Sequence, residues 1–127
     1  MGTFRVDCTV ENIVNRTKSA TVDKLLVDTG SDYTWIAAKT LEQIGVKREK
    51  KDIVMTMANG QQITRSAGFA IIRTDGFFTV DEVVFAEPGD MALLGARTLE
   101  GFNARVDSKS KKLVAAGPVL AAVNLNG

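Results

Sequence analysis

The segment that most constrains the fold is Phe69–Phe85, FAIIRTDGFFTVDEVVF. Two runs rich in β-branched and aromatic residues flank Asp75-Gly76, a pair suited to the left-handed backbone of a two-residue hairpin turn. The pattern recurs upstream, where IVMTM (53–57) and QQIT (61–64) flank ANG, with Asn59-Gly60 as the turn pair. A third hairpin is expected in ARVDSKSKKLVAA (104–116), closed by a polar, lysine-rich turn. Phe4, Val6, Cys8 and Val10 alternate with polar residues, the period of a half-buried strand. NRTKSA (15–20) reads as a turn and Val22–Val27 as the returning strand. Ala37–Ile44 fits one or two helical turns closed by Gly45. Short strands with turn signals every ~8–12 residues predict an all-β barrel or sandwich. The chain shows no repeat, low-complexity linker or boundary, so its 127 residues are expected to form a single domain over 1–127.

Composition then removes whole classes of chemistry. There is no histidine and one cysteine, Cys8. That excludes an internal disulfide, a His/Cys metal site, a Ser-His-Asp triad and a Cys-His pair. Cys8 sits in the alternating pattern and reads as a small buried apolar residue. Net charge is +1, which gives no electrostatic case for nucleic acid or an anionic membrane surface. The basic cluster KREKK (47–51) includes Glu49 and reads as a solvated turn or helix end. No apolar run approaches membrane-spanning length. The first residues show no basic segment followed by an apolar stretch, so the expected location is cytoplasmic.

One stretch does not fit a purely structural reading. In LLVDTGSDYTWI (25–36) an apolar run delivers Asp28 into a turn with Thr29, Gly30 and Ser31. A carboxylate at the end of an apolar strand is costly unless it is paired or used. Asp-Thr-Gly alone would occur by chance in about one chain in 40 of this length, so the flanking residues carry the signal. The plain alternative is a strand ending in a turn stabilised by local hydrogen bonds.

The stretch resembles the active-site turn of the aspartic proteases, in which an apolar strand presents Asp-Thr/Ser-Gly-Ser/Ala to a cleft. ALLGARTLEG (92–101) matches the apolar-apolar-Gly element that braces the catalytic loop in that family, through Leu93, Leu94 and Gly95. LLGARTLEGFNARVDSKSKKLV is similar to the C-terminal half of small prokaryotic, retroviral-type (clan AA, retropepsin-like) enzymes. The resemblance runs over roughly residues 3 to 118 and implies a closed or orthogonal β-barrel of the acid-protease type with one or two short helices.

It also implies a mechanism. Two carboxylates about 3 Å apart share one proton; one activates a water and the other polarises the peptide carbonyl. No metal or cofactor is required. The chain carries one Asp-Thr-Gly, since TDG (74–76) and EPGD (87–90) do not match. The resemblance therefore implies a C2 homodimer in which Asp28 of each subunit meets at the axis, cleaving extended peptide. Asp32 is the main rival carboxylate and is expected to be solvated or locally bonded.

The family pattern assigns supporting roles. The Thr29 hydroxyl would reach the opposite subunit's backbone. Gly30 would let an amide approach the carboxylate, where a Cβ should clash. The Ser31 hydroxyl would donate to Asp28. Trp35 is a candidate for the substrate cleft, with a core aromatic as the alternative. The Asn59-Gly60 hairpin takes the place of the flap, with Ala58, Asn59, Gly60 and Gln61 at its tip and Met57 beside it as flap or substrate-binding residues; an ordinary surface hairpin is the alternative. Met55 and Met57 share one face by alternation. TFRVDCTV (3–10) and VLAAVNL (119–125) are candidate edge strands for a dimer. A dimeric peptide-binding module on the same fold, without fast turnover, is the alternative function. An unrelated β-barrel in which the motif is structural is a third.

Overall fold

The computed structural model of the chain describes residues 4–121. The elements follow in the order β1 (Arg5–Asn12), β2 (Ser19–Val27), β3 (Thr34–Ala37), α1 (Ala38–Gln43), β4 (Lys50–Thr56), β5 (Gln62–Thr74), β6 (Phe77–Ala86), β7 (Leu93–Leu94), α2 (Ala96–Phe102), β8 (Ala104–Asp107) and β9 (Lys112–Ala115). The fold is mostly β with two short helices, as the turn spacing predicts. Asp75 and Gly76 have φ of 49° and 83°. That is the backbone their sequence favours, and it sets β5 against β6 from Thr74↔Phe77 to Ala67↔Val84. The 104–116 hairpin forms as its own two-stranded sheet, β8-β9. Gly45 ends α1 with φ 75°.

The larger sheet has the order β1-β2-β7-β3-β6-β5-β4, and β1 also pairs with β5 from Thr9↔Arg73 to Asn12↔Ala70. The run of pairings thus returns to its first strand and leaves β4 outside. This corrects in part the expectation that TFRVDCTV is an edge strand: Thr9 and Val10 have backbone partners on both sides, while the pairings of Arg5, Val6 and Cys8 are with β2 and Thr3 lies outside the described residues. Of VLAAVNL, residues 119–121 carry no regular structure, and the remainder lies outside the described residues.

The returning strand holds a feature that alternation does not predict. The β1–β2 register shifts between Val6 and Cys8, where Lys24 takes φ 54° and donates its N–H to Asp7 Oδ1 at 2.8 Å. A bulge reverses the side-chain phase of a strand. Leu25 and Val27 therefore join the core while Leu26 turns to the other face.

The core is built from Val10, Ile36, Leu41, Ile72, Val83, Phe85 and Leu94, all fully buried. Cys8 is buried among them, and burial pushes its thiol up to about 12 against a smaller opposing hydrogen bond from Thr74. In KREKK the lysines and Glu49 are exposed as expected. Arg48 departs from that reading: its guanidinium lies 4.4 Å above the Phe85 ring and pairs with Glu42 at 2.8 Å. Among the described residues, no helix is long and apolar enough to cross a membrane.

Candidate active site

The site begins where β2 ends. β7 lies parallel to β2 with Leu26↔Leu93 and Val27↔Leu94. Asp28 extends that ladder by one step, donating its N–H to the Leu94 carbonyl at 2.9 Å. The chain then turns. The Gly30 N–H donates to Asp28 Oδ1 at 3.0 Å, and the Ser31 N–H to the Asp28 carbonyl at 3.2 Å. One carboxylate oxygen is thereby fixed by a main-chain amide. Asp28 is half-buried, while Thr29, Gly30 and Asp32 are exposed.

Two expectations about this turn are corrected. A Cβ on Gly30 would lie 3.2 Å from Asp28 Oδ1, a tight contact with a movable side-chain atom rather than a clash. The group of Ser31 that bonds Asp28 is its backbone N–H, not its hydroxyl.

The steric demand falls instead on Gly95. A Cβ there would lie 2.3 Å from the Tyr33 carbonyl oxygen and 2.8 Å from that of Asp32. This close approach lets the first turn of α2 cap the Asp28 turn. Ala96 donates its N–H to the Ser31 carbonyl at 2.7 Å, and Arg97 to the Asp32 carbonyl at 3.0 Å. First-turn amides of a helix have no partner within it, so these two bonds satisfy helix and loop together. Of the three, Leu94 holds the Asp28 N–H and Gly95 packs against Asp32 and Tyr33, while Leu93 pairs with Leu26 and Trp35.

Strand phase sorts the remaining residues. Thr34 and Ile36 are fully buried on the core side of β3, which places Trp35 on the opposite face, half-buried. Trp35 pairs with Leu93 on one side and Val84 on the other, and Leu93 with Leu26. Leu26, Leu93, Trp35 and Val84 form a row across four strands on the face away from the core. Asp28 lies two residues beyond Leu26, in the same phase.

The β4–β5 hairpin closes at Met57–Gln61. The Met57 N–H donates to the Gln61 carbonyl at 2.8 Å, the Gly60 N–H to the Met57 carbonyl at 2.9 Å, and the Gln61 N–H to Asn59 Oδ1 at 2.9 Å. Gly60 takes φ 86°, and all five residues are exposed. These bonds all lie within the hairpin.

Its stem is tied down by residues that the sequence did not single out. Arg65 Nε and Nη2 donate to the two Asp90 carboxylate oxygens at 2.6 and 2.7 Å. The Asp90 hydrogen bond with Arg65 holds its carboxyl below the ordinary carboxylate range. Asp90 also closes the Glu87–Asp90 turn, donating its N–H to the Glu87 carbonyl at 2.9 Å. Ile63 shares the Arg65 face of β5 and pairs with Met55, so Met55 lies on the side of the hairpin nearest this turn. Nothing in an isolated Arg65 or Asp90 signals a pair 25 residues apart in sequence.

The sequence matches the family described as "gag-polyprotein putative aspartyl protease" over residues 14–101, more than half of the chain. That span includes the Asp28 turn, the β4–β5 hairpin and Leu93–Gly95. No curated protein matches the chain. Among solved structures it is similar to the retroviral protease-like domain of Ddi1 from Leishmania major, with 16% identity, 91% of this chain and 89% of that chain covered, and a TM-score of 0.61. At that identity the likeness shows the fold, which is retropepsin-like. With an Asp-Thr-Gly turn braced by Leu93–Gly95 and a match across both elements, the chain belongs to the gag-polyprotein aspartyl protease family.

Proposed function

We propose that the chain is an aspartic endopeptidase that acts as a C2 homodimer on extended peptides. One observation supports this most: Asp28 leaves β2 into a turn where the Gly30 amide fixes one carboxylate oxygen and the Leu94 carbonyl holds the main chain. In this reading the 1–127 chain is one barrel domain, and Asp28 of each protomer shares a proton with its counterpart. The ionised carboxylate takes a proton from water as that water adds to the scissile carbonyl. The protonated carboxyl donates to the carbonyl oxygen, and a proton then passes to the leaving amine. Thr29, exposed beside Asp28, meets the opposite protomer's turn. The 57–61 hairpin closes over the peptide, and Trp35 lines the cleft. The enzyme works in the cytoplasm, without metal or cofactor.

The test mixes subunits. Wild type and Asp28→Asn are combined under exchange conditions, and cleavage of a denatured peptide mixture is followed from about pH 3.5 to 7, the range a shared-proton pair can span. An equal mixture in which mixed dimers are dead retains about half the activity per wild-type chain. Constant activity per wild-type chain would show that each chain works alone and overturn the dimer mechanism.

A second reading, a peptide-binding module without fast turnover, is favoured by the hairpin tip. Ala58, Asn59 and Gly60 are exposed and offer no large apolar side chain to clamp a substrate. It predicts a folded dimer in which wild type and Asp28→Asn bind peptide equally and neither cleaves.

A further inference from the structure

We propose that Asp81 is a positioning residue for the Asp28 turn, acting through a directed chain of hydrogen bonds that runs from half-buried Asp81 into the core. The proposal rests on the reading of Asp28 as the catalytic carboxylate. The Gly95 N–H donates to Thr34 Oγ1 at 2.9 Å. Thr34 Oγ1 and Thr98 Oγ1 are 2.5 Å apart. Thr98 Oγ1 donates to Asp81 Oδ2 at 2.8 Å. Thr34 and Thr98 are both fully buried, so water does not complete the set.

The direction of the chain follows from its end. An ionised carboxylate only accepts, so the single Thr98 proton is committed to Asp81. Between the two hydroxyls, Thr34 must then be the donor. The Thr34 oxygen is left to accept, and it accepts from Gly95. Asp81 Oδ1 takes the Glu82 N–H at 2.7 Å, which fixes the rotation of the carboxylate. Two hydroxyls alone could point either way, and Asp81 removes that freedom.

The chain ends on the residue that matters most for the turn. Gly95 follows Leu94, whose carbonyl holds the Asp28 N–H, and precedes Ala96, whose N–H holds Ser31. Asp81 on β6 thus fixes, through α2 and β3, the backbone that holds Asp28 from β2. An apolar residue at position 81 removes the acceptor of the fully buried Thr98 hydroxyl. The hydroxyl pair can then reverse, and the Gly95 amide loses its fixed partner.

The test uses Asp81→Leu and Asp81→Asn with Thr98→Val and Thr98→Ser. Thr98→Ser keeps the hydroxyl, and Asp81→Asn keeps one acceptor oxygen where Asp81 has two; Leu and Val keep neither. Amide hydrogen exchange is read at Gly95 and Asp28, with Val10 and Ile72 as core references. Peptide cleavage is measured in parallel. Expected are exchange at Gly95 and Asp28 faster by about tenfold relative to the core references in the Leu and Val variants. For the same two variants, kcat should fall about 10- to 100-fold with KM within about twofold. Thr98→Ser should restore most of both, and Asp81→Asn only part. Thr98→Val is close to isosteric and carries the test where Asp81→Leu does not fold. Exchange at Gly95 and Asp28 that moves only in step with the core references, or equal behaviour of the Thr98→Ser and Thr98→Val variants, would overturn the proposal. A wild type that cleaves nothing would remove the reading of Asp28 as catalytic, while the exchange data would still decide whether Asp81 fixes the turn.

Discussion

Replacing Gly95 with alanine tests whether the site is held by close backbone approach. The new Cβ would start 2.3 Å from the Tyr33 carbonyl oxygen and 2.6 Å from its carbon. Ordinary contact begins at 3.4 Å, so the two segments must part by about 1 Å. Both are backbone, and no side-chain rotation relieves the overlap. The displacement acts on the Ala96–Ser31 and Arg97–Asp32 bonds at 2.7 and 3.0 Å, and on the Asp28–Leu94 bond at 2.9 Å. Each such bond contributes about 0.5–1.5 kcal/mol net, so the expected loss is about 3 kcal/mol, a large part of a domain's ~5–15 kcal/mol. Urea unfolding of wild type and variant gives the stability change, and cleavage by the folded fraction should fall about 100-fold. Gly60→Ala is the control. Nothing lies within 4 Å of its Cβ, and only its φ of 86° is strained, at about 1 kcal/mol. A Gly95→Ala variant within about 0.5 kcal/mol of wild type and fully active would refute the reasoning.

Other features give further expectations. Asp90 is held below its ordinary range by Arg65, so its pairing stabilises the fold above the unfolded carboxyl value and is lost only as pH falls through the lower folded value. Arg65→Met should therefore cost about 1–2 kcal/mol at neutral pH by urea unfolding, with the gap to wild type closing only below about pH 4. The Cys8 thiol, raised to about 12 by burial, should resist a thiol-specific disulfide reagent at pH 8 and react once the chain is unfolded. Its sign is opposite to that of Asp90. The stabilisation is complete below the unfolded value of 9.0 and disappears as pH rises towards 12, so Cys8→Ala should flatten the alkaline limb of a stability profile. Gly68→Ala places a Cβ 2.2 Å from the Lys47 carbonyl and should lower the melting temperature by about 10 °C or more, read by circular dichroism.

Where local chemistry decides, the sequence reads directly. Asp75-Gly76 and Asn59-Gly60 specify turns whose backbone angles few other pairs take up so easily, and the β1 alternation matches a strand with Val6, Cys8 and Val10 buried. The Asp-Thr-Gly and Leu-Leu-Gly elements are legible because each is a short fixed pattern. What escaped depends on pairing between distant segments. Leu93 and Leu94 form a strand only because β2 and β3 flank them, since two residues have no period of their own. The Lys24 bulge is invisible to alternation, although it decides that Leu25 rather than Leu26 joins the core. Thr34 and Thr98 look like any threonine in a strand or helix, and their importance comes from meeting 64 residues apart. Gly95, which has no room for a Cβ, does not have positive φ; its value of −96° suits any residue, and the constraint is space.

These placements bear on why one chain would make half a site. The first-turn amides of α2 are spent on Ser31 and Asp32, so the helix start is not free to hold the Asp28 carboxylate. The side-chain contact recorded for that carboxylate is a single amide, that of Gly30. One neutral donor orients an oxygen but cannot by itself supply both an acid and a base. General acid–base cleavage of a peptide needs both, held at one water. Within the chain the nearest carboxylate in sequence, Asp32, is exposed beyond the turn, and its backbone carbonyl is engaged with Arg97. In the proposed homodimer the second group is supplied by symmetry, which places an identical carboxylate opposite the first without a second motif in the sequence. On this argument the bracing by Leu94, Gly95 and the Asp81 chain serves alignment. Two turns must meet to within about 0.5 Å for one proton to be shared, and each must be rigid before they meet.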